Sequence, residues 1–291
     1  MNDFTGEINR LKTLVEDHLE ALLPDMDPCS KTLSASVTYS LRAKGKRIRP
    51  VLLLLSCKAL NGDEQDALPY ACAIEYIHNY SLIHDDLPIM DDDDYRRGEL
   101  TNHKVFGEAV AILAGDGLLS AAFEVIQKDY LMFFGDEEAL KRRVRAGAAI
   151  IAGCGCRGMV AGQVCDIESE GKEVDSETLD FIHRNKTAAL IRAAAEAGAW
   201  LGGADPETAS AFSSYGENLG LAFQIADDIL DTDTEDGKAT YPALHGQEAS
   251  FAKLRELTDT AKDSLKNVPG ANAHYIDLLI DMADLLAART K

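Results

Sequence analysis

Apolar residues recur at spacings of three and four along almost the whole chain, and this periodicity leaves room for little but helices. In the segment 4–22 they fall at Ile8, Leu11, Val15, Leu19 and Leu22. That is one face of an amphipathic helix, which Pro24 and Pro28 end. A second helix through 34–41 stops at Lys44-Gly45-Lys46-Arg47-Ile48-Arg49-Pro50. Pro50 is expected at the first position of the next helix, where its missing N–H costs nothing. Residues 51–60, VLLLLSCKAL, are apolar nearly all round and therefore belong inside. Further helices are predicted over 67–87, from Thr101 or Asn102, and over 108–128, 137–154, 176–201, 206–231, 249–266 and 273–290. Runs alternating β-branched with polar residues are missing. With no repeat and no low-complexity linker, the expectation is an all-α fold, a large helical bundle of a single domain over 1–291.

Charge narrows the function. Lys and Arg number 29 against 49 Asp and Glu, a formal charge of -20. A nucleic-acid binder shows a basic face, and this chain has only short basic islands, such as Lys141-Arg142-Arg143. An anionic substrate therefore needs a local device, metal ions or an Arg/Lys pocket, to overcome the general field. The six cysteines (29, 57, 72, 154, 156 and 165) are scattered, and Cys154-Gly155-Cys156 lacks the spacing of a zinc site. Buried, reduced thiols are expected. The start, MNDFTGEINR, is unlike a secretory signal, and no uninterrupted apolar run approaches the roughly 20 residues of a membrane span. A cytoplasmic protein without a membrane span is the expectation.

Two acidic clusters stand out. Residues 78–98, HNYSLIHDDLPIMDDDDYRRG, hold Asp85, Asp86 and Asp91 to Asp94, followed by Arg96 and Arg97. Carboxylates this close repel unless cations sit among them. Mg²⁺ is usually held by one or two carboxylates together with substrate phosphates, and paired arginines grip phosphate bidentately. His78, Ser81 and Asp85 share one helical stripe. In the second cluster, FQIADDILD at 223–231, a turn of 100° per residue puts Gln224, Asp227, Asp228 and Asp231 within about 100° of one another. Apolar Ile225, Ala226, Ile229 and Leu230 flank these acids, as expected for acids that look into a bundle interior and serve metal ions.

DDLPIMDDDDYRRG resembles the first aspartate-rich motif of the trans-type polyprenyl diphosphate synthases, and FQIADDILD resembles their second. GKRIRP (45–50) and NKT (185–187) match further family elements in the same order. The resemblance covers nearly the whole chain and is closest to the bacterial farnesyl type. It implies an isoprenoid-synthase bundle around a central cavity, usually homodimeric, that joins an allylic diphosphate head to tail with isopentenyl diphosphate. It also implies several Mg²⁺ ions bound with diphosphate at Asp85, Asp91 and Asp227, with Asp86, Asp228 and Asp231 in support through hydrogen bonds, water or added coordination. Arg96, Lys186, Thr187 and Gln224 would hold the allylic substrate. Lys46, Arg49, His78 and Arg97 would hold isopentenyl diphosphate. The residues expected to act in the reaction are Asp85, Asp91, Arg96, Lys186 and Asp227.

In this family the residue five before the first aspartate helps to set product length. Here it is Tyr80, about 7.5 Å along the helix from Asp85, with Ser81 beside it. An aromatic ring there, with the Leu87-Pro88 insertion, resembles the farnesyl type. His84 is assigned to structure. One departure follows the second motif. The chain runs from Asp231 through TDTED straight to Gly237-Lys238-Ala239-Thr240-Tyr241-Pro242. It thus omits about ten residues of the family pattern, including a lysine that would touch the allylic diphosphate, and Lys238 remains as a candidate contact. The alternatives are a geranyl or geranylgeranyl diphosphate synthase, or a non-catalytic regulatory subunit of a prenyl synthase.

Overall fold

The computed structural model describes residues 2–231 and 239–288, apart from the side chains of residues 2, 3 and 231. It is all-α, as the periodicity predicts. The elements are α1 (Asn2–Leu19), a 3₁₀ turn (Pro28–Ser30), α2 (Lys31–Arg42), α3 (Ile48–Ala59), α4 (Glu64–Asp85), α5 (Asn102–Phe106), α6 (Glu108–Met132) and α7 (Glu137–Cys154). There follow α8 (Met159–Ser169), α9 (Ser176–Ile182), α10 (Ala189–Leu201), α11 (Pro206–Asp231), α12 (Tyr241–His245), α13 (Gln247–Leu265) and α14 (Ala273–Ala287). Contacts group the chain into two compact units, Met1–Val51 with Gln65–Arg143 and Leu52–Glu64 with Val144–Lys291.

Three local features depart from the sequence expectation. Helix α3 starts at Ile48, two residues early, so Pro50 is its third residue. It still lies among the first four positions, whose N–H groups have no partner within the helix. The expected helix 176–201 is interrupted by a π-helical turn, His183–Ala188. Such turns occur mostly as single widened turns inside α-helices, frequently at functional sites. Finally, Tyr95–Arg96 (β1) and Glu99–Leu100 (β2) pair antiparallel as a hairpin of two residues each, too short to leave an alternating pattern.

In the first unit α4 is the core helix. Most of it is buried, including Tyr70, Tyr76 and Ile77, none of which reaches solvent. Helix α6 packs on α2 and α5. In the second unit α11 packs on α10, α13, α14 and the π turn. The apolar side of its C-terminal half, Ala222, Ile225 and Ala226, is buried with Leu254 and Leu257 of α13. This leaves the polar side of the same helix for the second acidic cluster.

The expectation on the cysteines is corrected in part. All six cysteines are free, but Cys29 and Cys156 are exposed. Among the described residues, Glu108–Met132 and Glu137–Ser169 are long and apolar enough to cross a membrane by length and composition. Helix α6 nevertheless carries buried Asp129, paired with Arg143 at 3.0 Å and accepting from Tyr70 at 2.8 Å, which is the chemistry of a helix inside a protein. Arg143 is therefore a buried residue and not part of a basic surface patch.

Candidate active site

In the first unit the cations gather around α4. Arg47 has φ of 51°, an uncommon backbone for a residue with a side chain. Its guanidinium donates to Glu75 at 2.7 Å and to the Leu41 and Ala43 carbonyls at 2.8 and 2.9 Å. Arg47 and Glu75 keep only 2% of their side-chain surface. The sequence reading gave Arg47 no part, and the structure makes it the pin that holds the 44–50 turn. Two residues on, Arg49 donates to His78 Nε2 at 3.4 Å. Arg has only donors, so this ring nitrogen accepts and His78 is neutral. Burial, then the charges of Arg49, Arg97, Arg47 and Arg96, hold His78 far below the ordinary histidine range. Arg49 is itself lowered by burial and by Arg97, and its buried Nε–H has no acceptor.

Arg97 arrives on the hairpin. Arg97 and Gly98 are the two residues between the strands, with φ of 56° and 85°. Positive φ at both places is the type I′ turn, whose twist suits a two-residue hairpin. Arginine in such a conformation carries strain of about 1–3 kcal/mol, a cost that tends to mark functional sites. Gly45 makes room for it, since a Cβ there would lie 2.7 Å from the Arg97 guanidinium. The structure thus brings Arg49, His78 and Arg97 together, with Lys46 exposed on the same turn.

The first aspartate cluster divides by role. The Leu87-Pro88 turn folds back on the end of α4, so that Asp91 N–H donates to the Asp85 carbonyl at 2.9 Å. Two aspartates six residues apart in sequence become neighbours. Asp86 is 4% exposed and accepts from Arg96 Nε at 2.5 Å, while Asp93 takes the same guanidinium at 3.2 Å. Burial raises Asp86 above the usual carboxylate range despite Arg96. Asp94 pairs with Lys104 at 2.6 Å. Tyr80 is 7% exposed and meets the His84 ring edge-on, and Ser81 donates to the His78 carbonyl at 2.9 Å. His84 keeps a structural place, its Nε2 lying 3.0 Å from the Ile112 carbonyl.

In the second unit a polar cavity of about 190 Å³ is lined by Asp166, His183, Lys186, Thr187, Gln224, Asp228 and Thr240, among others. Lys186 and Thr187 lie on the π turn. Lys186 Nζ donates to Asp166 at 2.5 Å, and Thr187 donates to Gln224 at 2.7 Å. Helix α8 can lie this close because of Gly162, where a Cβ would sit 2.1 Å from the Lys186 backbone nitrogen. Gln224 donates to Asp228 at 3.0 Å, so these two members of the predicted stripe share one face of the helix. Asp228, 6% exposed, also accepts from Tyr241 N–H at 2.7 Å and pairs with His183 at 3.2 Å. Burial alone would raise Asp228, but these donors, His183 foremost, hold it below the ordinary range. Asp227 is half-buried. Lys238 and the Asp231 side chain lie outside the described residues.

Sequence reasoning missed Asp166, His183 and Arg47. The signals were present only as single residues: an acid one helical turn after Gly162, a histidine three residues before Lys186, and the middle of GKRIRP. Among the described residues no group of three or more Asp, Glu, His or Cys side chains is arranged to hold a metal ion by itself. Asp85 and Asp91, oxygen donors brought into one turn, fit an ion that takes one or two carboxylates and fills its remaining positions with substrate phosphate and water.

Residues 30–274 match the polyprenyl synthetase family. The chain is 41% identical to a farnesyl diphosphate synthase of Bacillus subtilis, over 99% of each chain. It is 44% identical to a geranylgeranyl diphosphate synthase of Cyanophora paradoxa, over 87% of each. The solved apo structure of a FPP/GFPP synthase from Zymomonas mobilis superposes with a TM-score of 0.88 at 33% identity, over 98% of this chain and 99% of that one.

Proposed function

The chain belongs to the polyprenyl synthetase family and is a prenyltransferase, and from that premise we propose that it condenses isopentenyl diphosphate with dimethylallyl and geranyl diphosphate to give farnesyl diphosphate. The observation that carries this reading is Arg49. A buried guanidinium N–H without an acceptor, beside Arg97 and a neutral His78, calls for an anion. In a chain of charge -20 this cluster is the local device that lets a diphosphate approach.

Lys46, Arg49, His78 and Arg97 bind isopentenyl diphosphate, with Arg47 holding the turn that presents two of them. His78, uncharged, donates one hydrogen bond while the arginines supply charge. Lys186, Thr187 and Gln224, with Arg96, bind the allylic diphosphate. Lys186 and Arg96 stabilise the leaving group as its carbon–oxygen bond breaks, the moment when charge develops. Mg²⁺, held by Asp85, Asp91 and Asp227 together with the diphosphate, would supply further neutralisation of that leaving group. The isopentenyl double bond attacks the allylic carbon, and the departing diphosphate takes the proton whose loss completes the new double bond. Asp86 serves by holding Arg96. A homodimer acting in the cytoplasm is part of the same proposal, and sedimentation at micromolar concentration tests the stoichiometry.

Product length rests on Tyr80, since relatives named for farnesyl and for geranylgeranyl products match at similar identity. A buried ring one and a half turns before Asp85 limits growth. Purified protein, Mg²⁺, labelled isopentenyl diphosphate and each allylic primer, with products sized by chromatography, test both parts. Farnesyl diphosphate is expected from the native chain, and longer products from Tyr80→Ala. An unchanged distribution in that variant removes Tyr80 from the argument.

One observation favours a second reading. The alignment with the Bacillus subtilis relative spans 301 positions against a chain of 291 residues, so at least ten positions of it have no counterpart here. The shortening read after Asp231, which by the resemblance includes a lysine, is of that size. Absence of turnover with every primer would favour a non-catalytic subunit.

A further inference from the structure

Asp228 belongs to a run of acids for which metal support is the expectation, yet its surroundings are those of an anchor. Its Oδ1 accepts from Gln224 Nε2 at 3.0 Å, and its Oδ2 accepts from the Tyr241 N–H at 2.7 Å with His183 Nε2 at 3.2 Å. The side chains of His183 and Asp228 keep 5% and 8% of their surface. A carboxylate has about four lone-pair positions, and donors from α11, the π turn and the start of α12 converge on three of them. Because the carboxylate only accepts, Gln224 must turn its amide nitrogen toward it. That leaves Gln224 Oε1 to take the Thr187 hydroxyl at 2.7 Å. One buried acid therefore decides the orientation of an amide and, through it, of a hydroxyl on the π turn.

We propose that His183 and Asp228 are positioning residues for prenyl transfer: they fasten the start of α12 at Tyr241 to α11 and orient the Gln224–Thr187 pair, and Asp228 takes no part in Mg²⁺ coordination. This deepens the prenyl-transfer reading and rests on it. Tyr241 is the first residue of α12, and Thr240 before it caps that helix by accepting from Ala243 N–H at 3.3 Å. The anchored N–H thus sets where α12 begins. His183 secures the acid from the opposite element, where a glutamine side chain could place an N–H in the same position.

Hydrogen exchange followed by mass spectrometry, on protein free of metal and substrate, reads the anchor directly. Asp228→Ala and His183→Leu are expected to speed exchange in the 241–246 segment at least tenfold, with α13 unchanged, and His183→Gln to restore protection. In turnover, kcat should fall about 100-fold, the scale of a misplaced reactive group, while the Mg²⁺ concentration for half-maximal rate stays within about twofold. His183→Gln should recover most of kcat. Calorimetry with Mg²⁺ and inorganic diphosphate separates the two acids: Asp228→Ala keeps Mg²⁺-diphosphate binding, weakened only by the displaced Gln224–Thr187 pair, and Asp227→Ala loses it. Should Asp228→Ala unfold, His183→Leu against His183→Gln carries the test. Unaltered exchange at 241–246 in the folded variants overturns the anchor. Loss of Mg²⁺-diphosphate binding in Asp228→Ala equal to that in Asp227→Ala overturns the exclusion of Asp228 from the metal site. A native chain that turns over no primer defeats the prenyl-transfer reading, while exchange and calorimetry still decide the anchor.

Discussion

The charged region of the first unit and the polar cavity of the second are opposite in how far their polar groups are already paired. Around α4 the arginines outnumber their buried acids, one of them holds a strained turn, and Arg49 keeps a buried N–H without an acceptor. On the proposed reading an anion completes this region. Around the π turn the polar groups answer one another: Lys186 with Asp166, Thr187 with Gln224, Gln224 and His183 with Asp228. On that reading a substrate must replace bonds already made there. The first region is built on turns and helix ends, where irregular backbone aims side chains. The second is built on helices, where one widened turn and one glycine allow close approach.

Several measurements sharpen or break that contrast. The largest expected effect is on turnover, where Asp85→Ala or Asp227→Ala should each cost about 10³-fold, the scale of one lost electrostatic stabiliser, with the thermal unfolding midpoint nearly unchanged. Full rates in both variants would remove the metal-diphosphate role from the two clusters together. Next comes the charge balance of the first region. Glu75→Gln leaves buried Arg47 with only the exposed Glu16 carboxylate, 3.3 Å from its Nε, as counter-charge and should cost up to about 3–5 kcal/mol in denaturant unfolding. A loss under 1 kcal/mol would mean that this region is less desolvated than its burial indicates.

For the second region the test is steric. In Gly162→Ala the new methyl meets the Lys186 nitrogen, so α8 and the π turn must separate. Overpacking of this kind costs about 1–3 kcal/mol, and KM for the allylic substrate should rise more than KM for isopentenyl diphosphate. Equal rises would deny that α8 sets Lys186. The smallest effect is on pH dependence. His78 is depressed in the folded protein, whereas an unfolded histidine titrates near pH 6.5. Below about pH 6.5 the unfolded chain takes up a proton that folded His78 refuses, so stability falls as pH falls, by at most about 1.4 kcal/mol per pH unit from this group. His78→Gln should flatten that slope, and an unaltered slope would place the titration elsewhere.

The helices were legible because burial of one face imposes a period that any reader of apolar spacing can recover. Boundaries at 137–154 and 206–231 fall where they were expected. The hairpin at 95–100 was not legible, because four strand residues are too few to show a period of two. The π turn was hidden for a related reason, since one extra residue per turn barely disturbs the apolar pattern of the flanking helices. Lys141-Arg142-Arg143 illustrates the opposite failure: three adjacent cations read as one patch, whereas Arg143 turns inward to Asp66 and Asp129.

By itself the sequence determined an all-helical chain, the two acidic clusters and the cations that accompany them, because periodicity and local composition are properties of neighbours along the chain. Only the tertiary structure decided how those charges are spent. Asp86 goes to Arg96 and Asp228 to His183 and Tyr241, while Asp91 is drawn back beside Asp85. The partners come from distant segments or from a backbone turn, and whether a carboxylate faces a cation, an amide or open solvent depends on packing that no local pattern records.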